Sequence, residues 1–220
     1  MQDWNNLKGE RSLSSQDVPQ RLVASYVLDL PFGHGKRFLS GLSGFSNAVV
    51  SGWGLDGITT LQRGFPVKIS WGGGDALTQS GLLGSSTLRP DYVPGCDKNI
   101  GGSALHKEQT TWFNTACFTA PSGNNPTVAT PNNPWTFGDE PRVDGTLRQQ
   151  GVVNFDFAVF KRTTIMERLT VEFRAEFFDL FNHPQFGPPQ GAVTSSTFGE
   201  VTNTVNSTFR IAQFGLKFVF

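Results

Sequence analysis

Histidines, cysteines and closely spaced carboxylates are the side chains here that could carry chemistry, and their spacing limits what that chemistry can be. His34, His106 and His183 stand far apart in turn-rich sequence. No Ser-His-Asp set or carboxylate pair can be placed, so no catalytic residue is assigned and an enzyme is not expected. Cys96 and Cys117 are the only cysteines, and no His–Cys spacing suggests zinc, so neither metal nor cofactor is expected. If paired, they close a segment of about 20 residues, a constraint worth on the order of 3 kcal/mol; otherwise they are two unrelated thiols. The GHGK run at Gly33–Lys36 is not a phosphate loop, because Leu30 stands where glycine is required and Arg37 where serine or threonine is required. Gly52-Trp53-Gly54-Leu55-Asp56-Gly57 matches the dinucleotide fingerprint letter for letter. That motif must open a helix, whereas ITTLQRGFPVKIS after it is β-branched and extended.

The richest charged pattern is Asp156 with Glu172, Arg174 and Glu176. The last three alternate with Leu169, Val171, Phe173, Ala175 and Phe177, a period of two that places them on one face of a strand. A solvated strand face explains them better than acid–base catalysis does. With the turn of this hairpin centred near Ile165, Asp156 lies opposite Arg174.

Alternation of the same kind defines the elements around that row. Leu22, Ala24, Tyr26, Leu28 and Leu30 share one face of an extended run that Pro31 closes. A longer extended run spans 47–71, with a bulge or kink possible at Gly57. Val153, Phe155, Phe157 and Val159 form the apolar row of the hairpin's first strand. In the final stretch Ala212, Phe214, Leu216, Phe218 and Phe220 alternate with Gln213, Gly215 and Lys217. The expected fold is therefore all-β: about five antiparallel strands near 20–31, 47–71, 151–163, 168–181 and 208–220, neighbours in sequence order. These strands cannot close, because small barrels need about eight. Between 72 and 150 the chain is rich in Gly, Pro, Asn and Ser with no sustained period. Formal net charge is zero, so no basic surface argues for nucleic acid. No run of about 18 apolar residues exists for a membrane-spanning helix. The N-terminal MQDWNNLKGERSLSSQ lacks the apolar core of a secretory signal.

Alternation alone suits two readings. One is a soluble all-β carbohydrate-binding module with Trp112 and Trp135 as stacking platforms. The other is a membrane wall, since the terminal strand has the length that a tilted strand needs to cross a bilayer, about 9–11 residues. The segments DVPQRLVASYVLDLPFGHGKRF, GWGLDGITTLQRGFPV, WFNTACF, FDFAVFKRTTIMERLTVEFRAEFFDLFNHPQFG and FGLKFVF together resemble TonB-dependent transporters. More narrowly they resemble the C-terminal end of the Oar-like outer-membrane barrels of Acidobacteria. The resemblance covers nearly all of the chain, and FRAEFFDLFNHPQFG is its most specific part. It departs at Gly52–Gly54, where the family more often has GWQ, and at the cysteines.

The resemblance implies a C-terminal fragment of such a barrel over residues 1–220, lacking the regulatory-like sandwich and the plug, from a truncated or split gene. Relatives have barrels of about 22 strands. It further implies an outer-membrane location, lipid, the barrel-assembly machinery and the remaining strands of the parent barrel as partners, and residues 72–150 as a long extracellular loop. In an exported loop a Cys96–Cys117 disulfide is the favoured pairing. Asp156, Glu172, Arg174 and Glu176 become a lumen-facing row. Phe214, Leu216, Phe218 and Phe220 become the C-terminal assembly signal.

Overall fold

The computed structural model describes residues 6–71, 88–121, 137–166, 169–205 and 209–220. Two compact units emerge. One comprises Gln20–Gln62, Val152–Pro184 and Asn206–Phe220; the other comprises the described parts of Met1–Pro19, Arg63–Gly151 and Gln185–Val205.

The first unit is a five-stranded antiparallel sheet that does not close. Its strands are β1 (Arg21–Asp29), β2 (Trp53–Gln62), β7 (Val152–Met166), β8 (Leu169–Phe178) and β9 (Ile211–Val219), adjacent in sequence order. Period-two alternation is why these runs are strands: bulky apolar side chains gather on one face and the charged residues gather on the other, with Val23, Val27 and Phe160 as apolar members of the charged side. The register is continuous through Gly57, so the bulge expected there is absent. Instead the Tyr26 ring lies over that glycine, where an added Cβ would sit 2.6 Å from the Tyr26 hydroxyl.

Three expectations about this sheet are corrected. The run 47–71 is not one strand: α1 (Gly44–Val50) is helical, Gly52 turns the chain at φ +78°, and the strand ends at Gln62. A helix that short is held by tertiary caps, with Lys161 and Trp53 donating to its last carbonyls, and periodicity cannot report such caps. The hairpin turn is not centred near Ile165 either, because Thr163 and Thr164 are still paired in β7 and Met166 faces Leu169. Consequently Arg174 lies opposite Phe160, and Asp156 lies opposite Ile58 of β2 rather than opposite Arg174.

The second unit holds a hydrophobic core. β3 (Pro66–Val67) pairs with β6 (Asp144–Arg148), and β4 (Asp91–Tyr92) pairs with β5 (Phe118–Thr119). Helix α2 (Ala104–Glu108) and a 3-10 turn at Thr115–Cys117 add to its regular structure among the described residues. Val67, Ile69, Phe113, Cys117, Leu147 and Val201 are buried together. The rings of Phe113, Phe118 and Phe198 meet edge to face, with centroids 5.3–5.9 Å apart, the arrangement their quadrupoles favour. The described parts of 72–150 are therefore packed structure, though their sequence carries no period. Arg89 pairs with Glu10 at 3.2 Å and Arg148 with Asp17 at 2.7 Å, which fastens the N-terminal segment to this unit.

Cys96 and Cys117 are joined in a disulfide, with Cα atoms 5.5 Å apart. Thiol labelling of the non-reduced chain from an oxidising compartment is expected to mark neither cysteine. Replacing both with serine should cost this unit about 3 kcal/mol against chemical unfolding. Full labelling of the native protein would rule the bridge out.

Candidate functional site

Partners in an antiparallel pair point to the same side of a sheet, so the register assigns every strand residue to one of two faces. One face carries Leu22, Leu28, Leu55, Phe155, Phe173 and Phe214, with mostly apolar residues at the alternate positions between them and Thr59, Lys161 and Thr163 as the polar exceptions. The other carries Asp56, Asp156, Arg162, Glu172, Arg174, Glu176, Gln213 and Lys217. The apolar face is uncovered along the outer strands: Leu22, Leu28, Phe214, Leu216 and Phe218 are all exposed. Phe173 and Phe214 stack with centroids 6.4 Å apart, and Phe177 meets Phe214 edge-on at 6.5 Å. A continuous exposed apolar row of this kind marks a surface with an apolar partner.

The polar face carries a network of paired charges centred on Arg174. Arg174 Nη2 donates to both carboxylate oxygens of Asp56, at 3.0 and 3.2 Å, and Arg174 Nε donates to Glu176 at 3.2 Å. Glu172 lies 3.9 Å from Arg174 and accepts from Arg162 Nε at 2.8 Å. Gln213 donates to Glu176, extending the network into β9. The Phe160 ring, packed against Gly54, lies beneath two guanidiniums, with Arg162 Cζ 4.6 Å and Arg174 Cζ 5.9 Å from its centroid. Of the four residues singled out as a row, Glu172, Arg174 and Glu176 meet in this network. Asp156 instead accepts from Asn154 and from the Asp179 backbone N–H at the end of β8. Sequence reasoning missed Asp56, which lay inside the apparent dinucleotide motif, and Arg162, which lay beside the misplaced turn.

A shallow groove on this face runs past Asp56, Asp156 and Glu176 between Ile58 and Phe178. Among the described residues no group of three or more His, Cys, Asp or Glu could hold a metal ion. His34 lies in the β1–β2 connection, His183 beyond the end of β8, and His106 in helix α2 rather than in a loop.

The second unit contains a buried ionic cluster that had no sequence signature. Lys98 Nζ donates to Glu140 at 2.7 and 3.0 Å and to Asp144 at 2.8 Å, and it lies 4.4 Å from the centroid of the Tyr92 ring. Glu140 is fully buried. Burial pushes its carboxyl up to about 7, against the opposing pull of Lys98. For Asp144 burial also acts upward, but hydrogen bonds from Lys98 and Thr146 outweigh it and hold the carboxyl below its usual range. Lys98 is penalised by burial yet raised on balance by its two carboxylates.

Trp112 cannot serve as a stacking platform. It is buried in the core, and its indole N–H donates to the Arg148 carbonyl at 2.8 Å. Trp135 lies outside the described residues.

A family model described as an outer membrane beta barrel domain matches residues 1–213. No curated protein and no solved structure matches the chain.

Proposed function

The chain belongs to the outer membrane beta barrel domain family and is an outer-membrane protein, and from that premise we propose that its sheet is a section of a transporter's barrel wall, without catalytic chemistry of its own. The observation that carries this reading is the division of the sheet into an exposed apolar face and a self-paired ionic face. In a spanning barrel the first meets lipid and the second lines the lumen. The sequence resemblance described above supports the narrower assignment to TonB-dependent, Oar-like transporters.

Orientation follows from the strand ends. The connections after β2 and β8 are long and leave from one end of the sheet, whereas the β1–β2 and β7–β8 connections and the end of β9 lie at the other. Long loops outside and short ones in the periplasm are the pattern of these barrels. The connection between β2 and β7, with Cys96 and Cys117, is then extracellular, in an oxidising setting.

Among the described residues β1 and β9 each leave one edge unpaired, and the five strands of this sheet fall short of the roughly eight that the smallest barrels use. Further strands of the same barrel are the natural partners for those edges, and lipid and the assembly machinery are the other partners. The chain by itself should require detergent micelles to stay dispersed and should aggregate in plain buffer, because open strand edges template association. Size-exclusion chromatography with light scattering checks this. A monodisperse monomer without detergent would sink the wall assignment.

A further inference from the structure

We infer that the connection between β1 and β2 is a membrane-surface anchor that seats on anionic phospholipid at its end of the sheet. The inference rests on the lipid-facing assignment proposed above.

Residues 31–51 form an ordered element. Gly33 N–H donates to the Phe38 carbonyl and Phe38 N–H to that of Pro31, both at 3.0 Å, while His34 N–H donates to Asn47 Oδ1 at 2.7 Å. Gly33, at φ +109°, lets the loop press onto the helix, since a Cβ there would meet Ser51 Cβ at 2.5 Å. Yet this ordered element presents Phe38, Leu39, Phe45 and Val49 to the outside, and Phe45 is 85% exposed. Leu39 is held at φ +58°, a backbone conformation that bulky residues rarely adopt. Holding a fixed scaffold that displays apolar side chains is favourable only when an apolar phase receives them.

Two observations indicate which phase. The first is continuity with the apolar face. Lys161 and Trp53 both belong to that face, and they cap α1 directly. Lys161 Nζ donates to the carbonyls of Ala48, Val49 and Ser51 at 2.6–3.0 Å, and Trp53 Nε1 donates to Val49 at 2.9 Å. The helix therefore extends the surface that meets lipid, and the tryptophan stands at the strand end where interfacial aromatics gather. The second observation is charge. No acidic residue lies between Asp29 and Asp56, while Lys36 and Arg37 are exposed beside the apolar group, with Arg37 5.6 Å from the Phe38 ring. Cations rimming exposed aromatics suit the phosphates of an anionic leaflet, with the rings at the acyl boundary.

The test uses the chain assembled with the remaining strands of its barrel, carrying a polarity-sensitive fluorophore on Ser46→Cys in the connection, or separately on Ala24→Cys on the apolar face of β1. Each labelled variant is inserted into phosphatidylcholine vesicles with or without phosphatidylglycerol. Both fluorophores should be quenched by lipid-borne nitroxides, the β1 fluorophore by a deep nitroxide and the connection fluorophore by a shallow one. Phosphatidylglycerol should strengthen quenching in the connection alone. Adding Phe45→Ser should at least halve quenching in the connection and leave that on β1 unchanged. Lys36→Gln with Arg37→Gln should abolish the phosphatidylglycerol effect. If the β1 fluorophore is quenched while the connection fluorophore stays open to aqueous iodide in both lipids, the anchor is overturned and the wall assignment stands. If the connection fluorophore becomes shielded only as protein concentration rises, a second copy covers the patch and the anchor is likewise overturned. If the β1 fluorophore itself is open to iodide, the wall assignment fails and the anchor fails with it.

Discussion

Phe214→Arg is expected to block assembly of the barrel whose wall these strands form, while the neighbouring Gln213→Arg is tolerated. The two positions are adjacent in β9 and differ in face. Phe214 lies near the middle of the strand, 69% exposed, against Phe173 and Phe177. Under the lipid-facing assignment an arginine there brings a guanidinium to mid-bilayer, at about 2–4 kcal/mol. That shifts the insertion equilibrium roughly 30- to 900-fold. Gln213 already donates to Glu176 on the ionic face, so an arginine in its place retains a carboxylate partner and stays in the hydrated lumen. Heat-modifiable mobility of the outer-membrane fraction, with and without boiling, measures folded barrel directly. Equal assembly of both variants would refute the assigned faces.

Lys98→Met should be the most damaging single change in the core-bearing unit, costing about 3–5 kcal/mol, because it strands two buried carboxylates without their shared cation. Native-state hydrogen exchange of the described segment 112–119 in the detergent-solubilised chain reads this out. Protection there should fall by roughly two to three and a half orders of magnitude, at about 1.4 kcal/mol per tenfold. pH sharpens the prediction. The folded Glu140 carboxyl, at about 7, lies above its ordinary 4.5. Its contribution to stability is therefore fully present below about pH 4.5 and is lost as pH rises through about 7. Asp144, lowered from 3.8, contributes above that value and loses its contribution as pH falls. The native unit should thus weaken between about pH 4.5 and 7. Glu140→Gln should flatten that slope, and Lys98→Met should be less harmful at pH 5 than at pH 8. A slope unchanged by Glu140→Gln would show that Glu140 does not titrate there.

Strand identity, order and the two faces were legible in the sequence for a local reason. Alternation with period two is a property of each strand alone, and Phe173 with Arg174, or Phe214 with Gln213, cannot share a side once the backbone is extended. Even the mistaken turn left the faces intact. Placing its centre near Ile165 shifted the pairing by an even number of residues, which preserves side while changing partner. Partners are what only the tertiary structure decided. Arg174 meets Asp56 from β2 across the intervening β7, a contact set by how far the hairpin runs before it turns. The helix α1 was hidden because Lys161, more than a hundred residues later, supplies its cap. The hydrophobic core was hidden most completely. Ile69, Phe113 and Val201 come from irregular connections and Leu147 from the five-residue β6, so their burial has no period to read, and their gathering depends on long-range closure by β3 with β6, β4 with β5 and the Cys96–Cys117 bridge. Local alternation determines which side of a sheet a residue takes; which distant residue it meets depends on chain closure, and that is a property of the whole fold.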